Sequence, residues 1–413
     1  MLSFETLKTV TLKLLEYCQS NNWAGYDPYD ALNSKIYNAL PFLDFRLFRL
    51  GFTQALKRSP INFRPLLLVP KTENSKAIAL FLMAFLKLKK LGLLKDESLI
   101  ELMIQKLITL RSPRDLITRN SELATRRLKS VTCNLNNHYW CWGYNFDWQT
   151  RSLLVPEYTP NIICTTFAGN ALLDAYQLYG NPRFLEFAIS AGHFIINFLA
   201  GTVNGDEICF SYTPLAVEQV HNANLLGAAF VSRLYKVSRE KVFIDESLSA
   251  VRYSVRRQRE DGSWPYSEDV KARWVDNFHT GYNLVSLNKF CLYAQREEFL
   301  TSLKKGLDFY VKNFFTKDGI AKYYNDGMYP IDIHSIAQSI ITLVELKSYL
   351  ERGAEPALGI FEWVDRNMKS REGYFYYQKT IWFKNKVSYM RWSQAWMLYA
   401  LATFAENVFS GQM

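Results

Sequence analysis

Three of the five histidines fall at one place in a recurring pattern. His221, His279 and His334 each open a segment of small and aliphatic residues, 58 and 55 residues apart. Carboxylates stand just before them: Glu218, Asp276 and Asp332. An imidazole at a helix start meets unpaired N–H groups and partial positive charge. That favours its neutral form, which acts as a base near pH 7. A carboxylate two or three residues earlier can orient the ring. The same placement also suits helix capping and the polar lining of a filled core. A three-histidine metal site lacks the HxH or HExxH spacing that would support it, so no metal and no cofactor is expected.

Two further groups carry chemistry. Tyr389 and Arg391 precede the last such segment, and Arg64 and Lys71 precede the first. Tyrosine can move a proton, and arginine can grip a carboxylate through two parallel N–H bonds. Between them, Asn136–Gln149 packs Trp140, Trp142, Tyr144, Asp147 and Trp148 into fourteen residues, with Glu157 and Tyr158 following. Aromatic rings stack on sugar faces, and Asp147 can serve as acid or base. The plainer alternative is an aromatic plug packed over its support. The expected catalytic set is therefore Asp147, His221, His279, His334 and Tyr389. The expected substrate-binding set is Arg64, Trp140, Trp142, Tyr144, Trp148, Glu157, Asp276, Asp332 and Arg391.

The elements that must position these residues form a repeat. Segments with a polar or aromatic lead and an aliphatic run begin at Asn74, Thr166, His221, His279, His334 and Arg391. The last five are spaced 55, 58, 55 and 57 residues apart. Between them lie more charged, one-striped segments starting near Asp96, Pro182, Arg239, Glu297 and Ala354. A helix apolar on most faces is buried on most faces, whereas a single stripe marks an outer helix. Six inner and five outer helices follow, and amphipathic Phe4–Gln19 supplies the sixth outer helix against the last inner one. The expectation is an all-α, closed (α/α)6 toroid of six helical hairpins. It forms one domain over residues 1–413, with a long aromatic insert at 111–165. An open solenoid is the alternative. Gly180, Gly262, Gly319 and Gly373 stand where helices should stop.

Composition agrees. The 413 residues are 49% hydrophobic and 15% aromatic, with 19 Gly and 13 Pro, enough for a large core and too few turn formers for an all-β fold. The six cysteines form no CxxC pair, which fits a reducing compartment. The N-terminus lacks the pattern of a signal peptide, and the longest apolar run, Ile78–Leu86, is too short to span a bilayer. A cytoplasmic protein is expected. Residues 1–130 carry 21 Lys and Arg against 11 Asp and Glu, so the whole net charge of +10 sits there. That face suits an acidic polymer or an anionic membrane surface, or serves solubility alone. No nucleic-acid-binding signature accompanies it, so no nucleic-acid partner is expected.

Arg252–Trp264 resembles the QW repeat of squalene cyclases, with Gln258, Gly262 and Trp264 on its core positions. That resemblance implies a structural role: the glutamine caps the next helix and the tryptophan stacks beneath it. More widely, Cys141–Thr150, the following VPEYTPNIICTTFAGNALLDAY and Arg64–Ala77 resemble squalene-cyclase-like toroid proteins associated with exopolysaccharide biosynthesis. The wider six-hairpin class includes uronate epimerases, sugar 2-epimerases, unsaturated glucuronyl hydrolases and alginate lyases. No Asp-x-Asp-Asp motif for protonating a triterpene is present.

The resemblance and the residues together lead to one expectation. It is a carbohydrate-active enzyme of surface-polysaccharide assembly, working on an acidic glycan or sugar-lipid intermediate. The chemistry would be proton abstraction beside a carboxylate (epimerase or lyase) or glycoside hydrolysis. A non-catalytic glycan-binding protein and an isoprenoid-binding toroid are the alternatives.

Overall fold

The computed structural model describes residues 4–113, 116, 139–151 and 153–409. Asn136–His138 of the aromatic insert lie outside them. The helices are α1 (Phe4–Ser20), α2 (Lys35–Asn38), α3 (Arg46–Arg58), α4 (Ser75–Lys90), α5 (Ser98–Thr109), α6 (Ile162–Tyr179), α7 (Pro182–Phe194), α8 (His221–Ser238), α9 (Lys241–Arg256), α10 (Asn277–Ala294), α11 (Leu300–Phe314), α12 (Ile333–Glu345), α13 (Glu355–Met368) and α14 (Trp396–Phe409).

Helices α4, α6, α8, α10, α12 and α14 pack side by side in that order, and α14 returns to α4. The ring is closed. Each inner helix is backed by the outer helix that follows it, and α1 backs α14. In α4 every residue from Ser75 to Leu86 is buried. In α1 the buried set is a single stripe of Leu7, Val10, Thr11, Leu14, Leu15 and Cys18. Full burial of each such leucine contributes about 1.5–3 kcal/mol, so the difference in pattern decides which helix goes inside.

The expected inner-helix starts hold to within about a turn. Asn74, Asn161, Asp276 and Asp332 cap α4, α6, α10 and α12 by accepting backbone N–H bonds. Helix α14 is preceded by a wide turn, Met390–Ala395. Pro182 occupies the first turn of α7. Gly180 ends α6 in the left-handed conformation, as expected.

Gly262 and Gly373 do something else. Each lies in the turn after an outer helix, at φ +92° and +95°, against the next outer helix. A Cβ on Gly262 would come within 2.3 Å of the Lys305 carbonyl oxygen in α11, and one on Gly373 within 2.9 Å of the Lys13 carbonyl oxygen in α1. The same contact thus recurs where the ring closes, with the N-terminal helix as the outer partner. Gln258 donates to the Ser302 carbonyl at 3.0 Å and accepts from the Ser302 hydroxyl at 2.6 Å, at the start of α11. The Trp264 ring lies against Gly306 of α11. Gln258 and Trp264 thus tie the turn after α9 to the first turns of α11, through the Ser302 carbonyl and hydroxyl rather than through a capped backbone N–H.

Short strands decorate the mouth where the inner helices begin. They are β1 (Trp148–Gln149) with β2 (Leu154–Val155), β3 (Ala200–Asn204) with β4 (Glu207–Phe210), and a sheet of β5 (Ile331–Asp332), β6 (Gln378–Lys379) and β7 (Lys384–Asn385). The aromatic insert lies on the same side. Ser75 donates to the Gly143 carbonyl at 2.8 Å, and the Asn161 N–H to the Trp142 carbonyl at 2.9 Å. The segment from Ser34 to Lys71, with α2 and α3, forms a lobe beside it. Lys57 of α3 donates to the Tyr29 hydroxyl at 2.6 Å.

Candidate functional site

Three rings close the bore from within. Phe167, Tyr282 and Trp396, from α6, α10 and α14, meet with centroids 5.3, 5.5 and 6.4 Å apart. On the far side, toward the helix C-termini, a cavity of about 370 Å³ is lined by Lys87, Arg233, Lys289, Glu345 and Glu406 among others. Its charges are paired: Arg233 with Asp174 at 2.5 Å, Lys289 with Glu345 at 3.5 Å, and Lys87 with Glu406. On the near side, toward the N-termini, lie the residues that sequence singled out.

His279 is the most elaborated of these. Its Nδ1 lies 2.6 Å from Asp276 Oδ2. The contact sets Nδ1 as the donor to the carboxylate, and in the neutral ring that tautomer leaves the lone pair on Nε2. Asp276 is held in turn by the Trp274 indole N–H at 3.0 Å and by the His279 backbone N–H at 3.0 Å. The ring sits 4.6 Å from Tyr266, which stacks on Trp274 with centroids 4.7 Å apart. The His279 side chain is 19% exposed.

His334 converges on the same space but is buried. Its Nε2 is 2.6 Å from the Tyr282 hydroxyl, and its ring lies between Trp392 and Trp396 at 4.4 and 4.7 Å. Burial, then the nearby Lys76 and Arg391 charges, hold its pKa well below the usual value. Its Nδ1 has no hydrogen-bond partner among the described residues.

His221 does not join them. Its Nδ1 is 3.1 Å from the Ser254 hydroxyl of α9 and its Nε2 is 2.8 Å from Glu268, so it points into the hairpin interior. The shared site expected for three histidines contains two. The reason is register: His221 is the first residue of α8, whereas His279 is the third of α10. At roughly 100° per residue those positions face about 200° apart. The carboxylates differ likewise. Only Asp276 orients a histidine ring, while Asp332 accepts from the His334 backbone N–H at 2.8 Å, Gln378 at 2.6 Å and the Trp392 indole at 3.0 Å. Burial raises the Asp332 pKa to about 6.

Lys76 was not among the residues expected. It sits in the first turn of α4, 3% exposed, with its ammonium 4.9 Å from the Phe167 and Trp396 ring centres and 5.6 Å from that of Tyr282. No carboxylate pairs with it among the described residues. Burial first, and then Arg391, lower its pKa to about 7. The only sequence signal was a cation in the opening turn of an otherwise apolar inner helix.

Arg391 contributes from beneath. It is buried and grips Asp27 through two bonds of 2.6 and 2.8 Å, with its guanidinium 5.0 Å from the Tyr144 ring centre. Arg64 and Tyr389 were expected at the mouth and lie behind it. Arg64 pairs with Asp30 at 2.6 Å and donates to the Tyr389 hydroxyl at 2.9 Å, all three buried. A cation of this fixed fork shape, once desolvated, needs such partners, and Tyr389 is one of them.

The aromatic insert divides. Tyr144 and Trp148 reach the mouth, where the Tyr144 and Tyr212 hydroxyls meet at 2.9 Å and the Trp148 ring is 5.6 Å from that of Tyr212. Trp140 instead stacks on Phe187 of outer helix α7 with centroids 3.7 Å apart. Trp142 is wholly buried and donates its indole N–H to the Leu107 carbonyl of α5 at 2.7 Å. These two rings face the hairpins and glue the insert to them. Asp147 accepts from the Glu157 backbone N–H at 2.6 Å, closing a ten-residue turn, and Glu157 is exposed. Partial desolvation of its carboxylate, and then the nearby Asp147 charge, raise the Glu157 pKa. Among the described residues no cluster of His, Cys, Asp or Glu side chains is arranged to hold a metal.

No protein-family profile and no curated protein sequence matches the chain. Solved structures do match in shape. A cellobiose 2-epimerase from Bacillus thermoamylovorans is 12% identical, with a TM-score of 0.60 over 81% of this chain and 87% of that one. A GH76 α-mannanase from Bacteroides thetaiotaomicron is 14% identical, with a TM-score of 0.59 over 83% and 88%. A possible GH105 member from Salmonella enterica is 12% identical, with a TM-score of 0.60 over 99% and 96%. At such identities the likeness establishes the fold: this chain is an (α/α)6 toroid.

Proposed function

We propose that the chain is a carbohydrate-active enzyme that takes a proton from a carbon beside a carboxylate of an acidic glycan. The observation that carries this reading is the His279–Asp276 pair, 2.6 Å apart beside the stacked Tyr266 and Trp274 rings. His279 Nε2 is the base. The sugar lies against the aromatic rings, and its carboxylate reaches in toward Lys76, the buried cation over the three-ring plug that has no carboxylate partner among the described residues. As the C–H bond breaks, His279 gains the proton and the electron pair spreads onto the carboxylate, where the Lys76 charge stabilises it. A proton delivered to the other face from water, with the His279 proton lost to solvent, gives an epimer; loss of a β-substituent, its oxygen protonated by water, gives an unsaturated product. Shape neighbours that include a sugar epimerase and a possible GH105 member support a glycan as the substrate class.

Hydrolysis fits less well. It requires two carboxylates flanking a bond. Asp276 and Asp332 are both committed to indole and backbone donors and Asp147 to the Glu157 N–H, which leaves Glu218, whose pKa burial raises, without an evident second among the described carboxylates singled out at the mouth. In this reading the glycan is an intermediate of surface-polysaccharide assembly in the cytoplasm. The basic first third then faces an acidic polymer or an anionic membrane. The test is proton exchange. Uronate-containing oligosaccharides incubated with the protein in D2O should gain deuterium at the carbon next to the carboxylate, and His279→Ala should abolish the gain. An unsaturated sugar without deuterium would indicate the elimination branch, and new reducing ends with neither deuterium nor an unsaturated sugar would instead indicate hydrolysis.

A further inference from the structure

Among the described residues, most of the large apolar side chains that remain exposed fall in two segments. Phe42, Leu47, Ile61 and Leu66 lie in the α2–α3 lobe, and Ile381 and Trp382 form the tip of the β6–β7 hairpin, with Trp382 89% exposed. The two segments adjoin. Asn385 at the base of the hairpin donates to the Ser59 carbonyl at the end of α3, at 2.8 Å. Within the lobe, the Ser34 hydroxyl donates to the Leu67 carbonyl at 2.6 Å and the Lys35 N–H to the Leu68 carbonyl at 3.4 Å. A soluble surface rarely gathers this much exposed apolar area without a partner.

The charge around it names the partner's chemistry. Residues 35–71 hold seven Lys and Arg and a single acid, Asp44; Arg64 is buried against Asp30 and Arg49 pairs with Asp44, which leaves Lys35, Arg46, Arg58 and Lys71 exposed on this lobe. Lys379, Lys384 and Lys386 bracket the hairpin tip, and residues 379–386 hold no acid. Protein-binding surfaces deplete lysine around their apolar centres. A tryptophan-tipped loop flanked by lysines matches a bilayer interface, where indole sits at headgroup depth and ammonium groups meet anionic lipid. No helix is long and apolar enough to cross a membrane among the described residues, so the contact would be peripheral.

We propose that this lobe and hairpin tip dock the protein onto an anionic membrane surface. The proposal gives the basic first third its partner and rests on that part of the functional reading, not on the catalytic part. The lobe stands beside the mouth, since Lys57 of α3 reaches Tyr29, whose ring is 5.7 Å from Trp392. A docked protein would therefore hold its mouth close to the headgroups, where a lipid-linked sugar is displayed.

The experiment is co-sedimentation of the full chain with phosphatidylcholine vesicles, with and without about one-third phosphatidylserine. The protein should pellet with the phosphatidylserine vesicles, less with phosphatidylcholine alone, and less again at high salt. The double substitution Ile381→Ser and Trp382→Ser should cut partitioning about tenfold or more, with an unchanged melting curve because both side chains are exposed. Lys384→Glu with Lys386→Glu should remove the preference for phosphatidylserine. Exchange on a soluble oligosaccharide should survive in all of these variants, which separates this proposal from the catalytic one. Failure of the wild type to pellet would overturn it, as would undiminished binding by the serine variant. A wild-type dimer in dilute solution that the serine variant splits would assign the face to a second copy of the chain instead.

Discussion

Arg391 and Asp27 lie 364 positions apart in sequence and are joined by two hydrogen bonds of 2.6 and 2.8 Å, both side chains buried. The pair ties the segment after α1 to the turn that opens α14, so it fastens the ring at its seam. Removing one partner leaves an uncompensated charge in a desolvated place. Asp27→Ala should therefore cost about 3–5 kcal/mol in urea unfolding. Adding Arg391→Met should recover a good part of that loss. If the single variant unfolds like the wild type, the seam does not depend on this pair.

The toroid was legible because its signal is long. A repeat near 56 residues, with a small-and-aliphatic helix beside each striped one, leaves few arrangements, and both chain ends supply half a hairpin. The site was legible only in part. His279 with Asp276 could be read from spacing, because a cap three residues ahead in a helix N-terminus also reaches the ring. His221 looked equivalent to it because the repeat fixes where a helix begins only to within a residue or two, while the direction of a side chain turns by about 100° with each one. Trp140 and Trp142 looked like ligand platforms because an irregular segment has no period to say which rings face inward. Lys76 was hidden by its ordinariness: lysine at a helix start reads as surface until the ring closes around it.

His279 and Asp276 should fail together but differ in stability cost. Asp276→Asn keeps a side chain able to cap α10, yet an amide can place N–H against Nδ1 and favour the wrong tautomer. Its kcat should drop by about 10²–10⁴, as should that of His279→Gln, with KM little changed. The melting temperature of Asp276→Asn should stay within a few degrees of wild type. A large KM effect with normal kcat would make the pair a binding element rather than a base.

Trp142 and Trp148 belong to one short segment and should behave oppositely. Trp142→Ala leaves a hole between the insert and α5 and strands the Leu107 carbonyl, at about 3–5 kcal/mol. Glycan affinity per folded molecule should be retained. Trp148→Ala, half-exposed at the mouth beside Tyr212, should cost little stability and weaken glycan binding by about 1–3 kcal/mol. Denaturant melts and calorimetric titration with the same oligosaccharide read the two effects separately.

Lys76 gives the sharpest dependence on pH. Its pKa falls from 10.5 in the unfolded chain to about 7 in the folded one. A cation disfavoured by folding destabilises the native state wherever both states are protonated, so the cost is complete below about pH 7 and fades as pH rises toward the unfolded value. Lys76→Met should thus stabilise the protein most at pH 6, on the order of 4 kcal/mol, and by only about 1 kcal/mol at pH 9.5. Ligand binding should show the same group from the other side. A uronate seated against Lys76 restores its charge, so binding at pH 8 should take up a proton, visible as a heat that varies with buffer ionisation enthalpy. Affinity should fall as pH rises above 7, and Lys76→Met should flatten both effects. A pH-independent affinity with no proton uptake would place the carboxylate away from Lys76, and the charge-stabilising role given to it would be wrong.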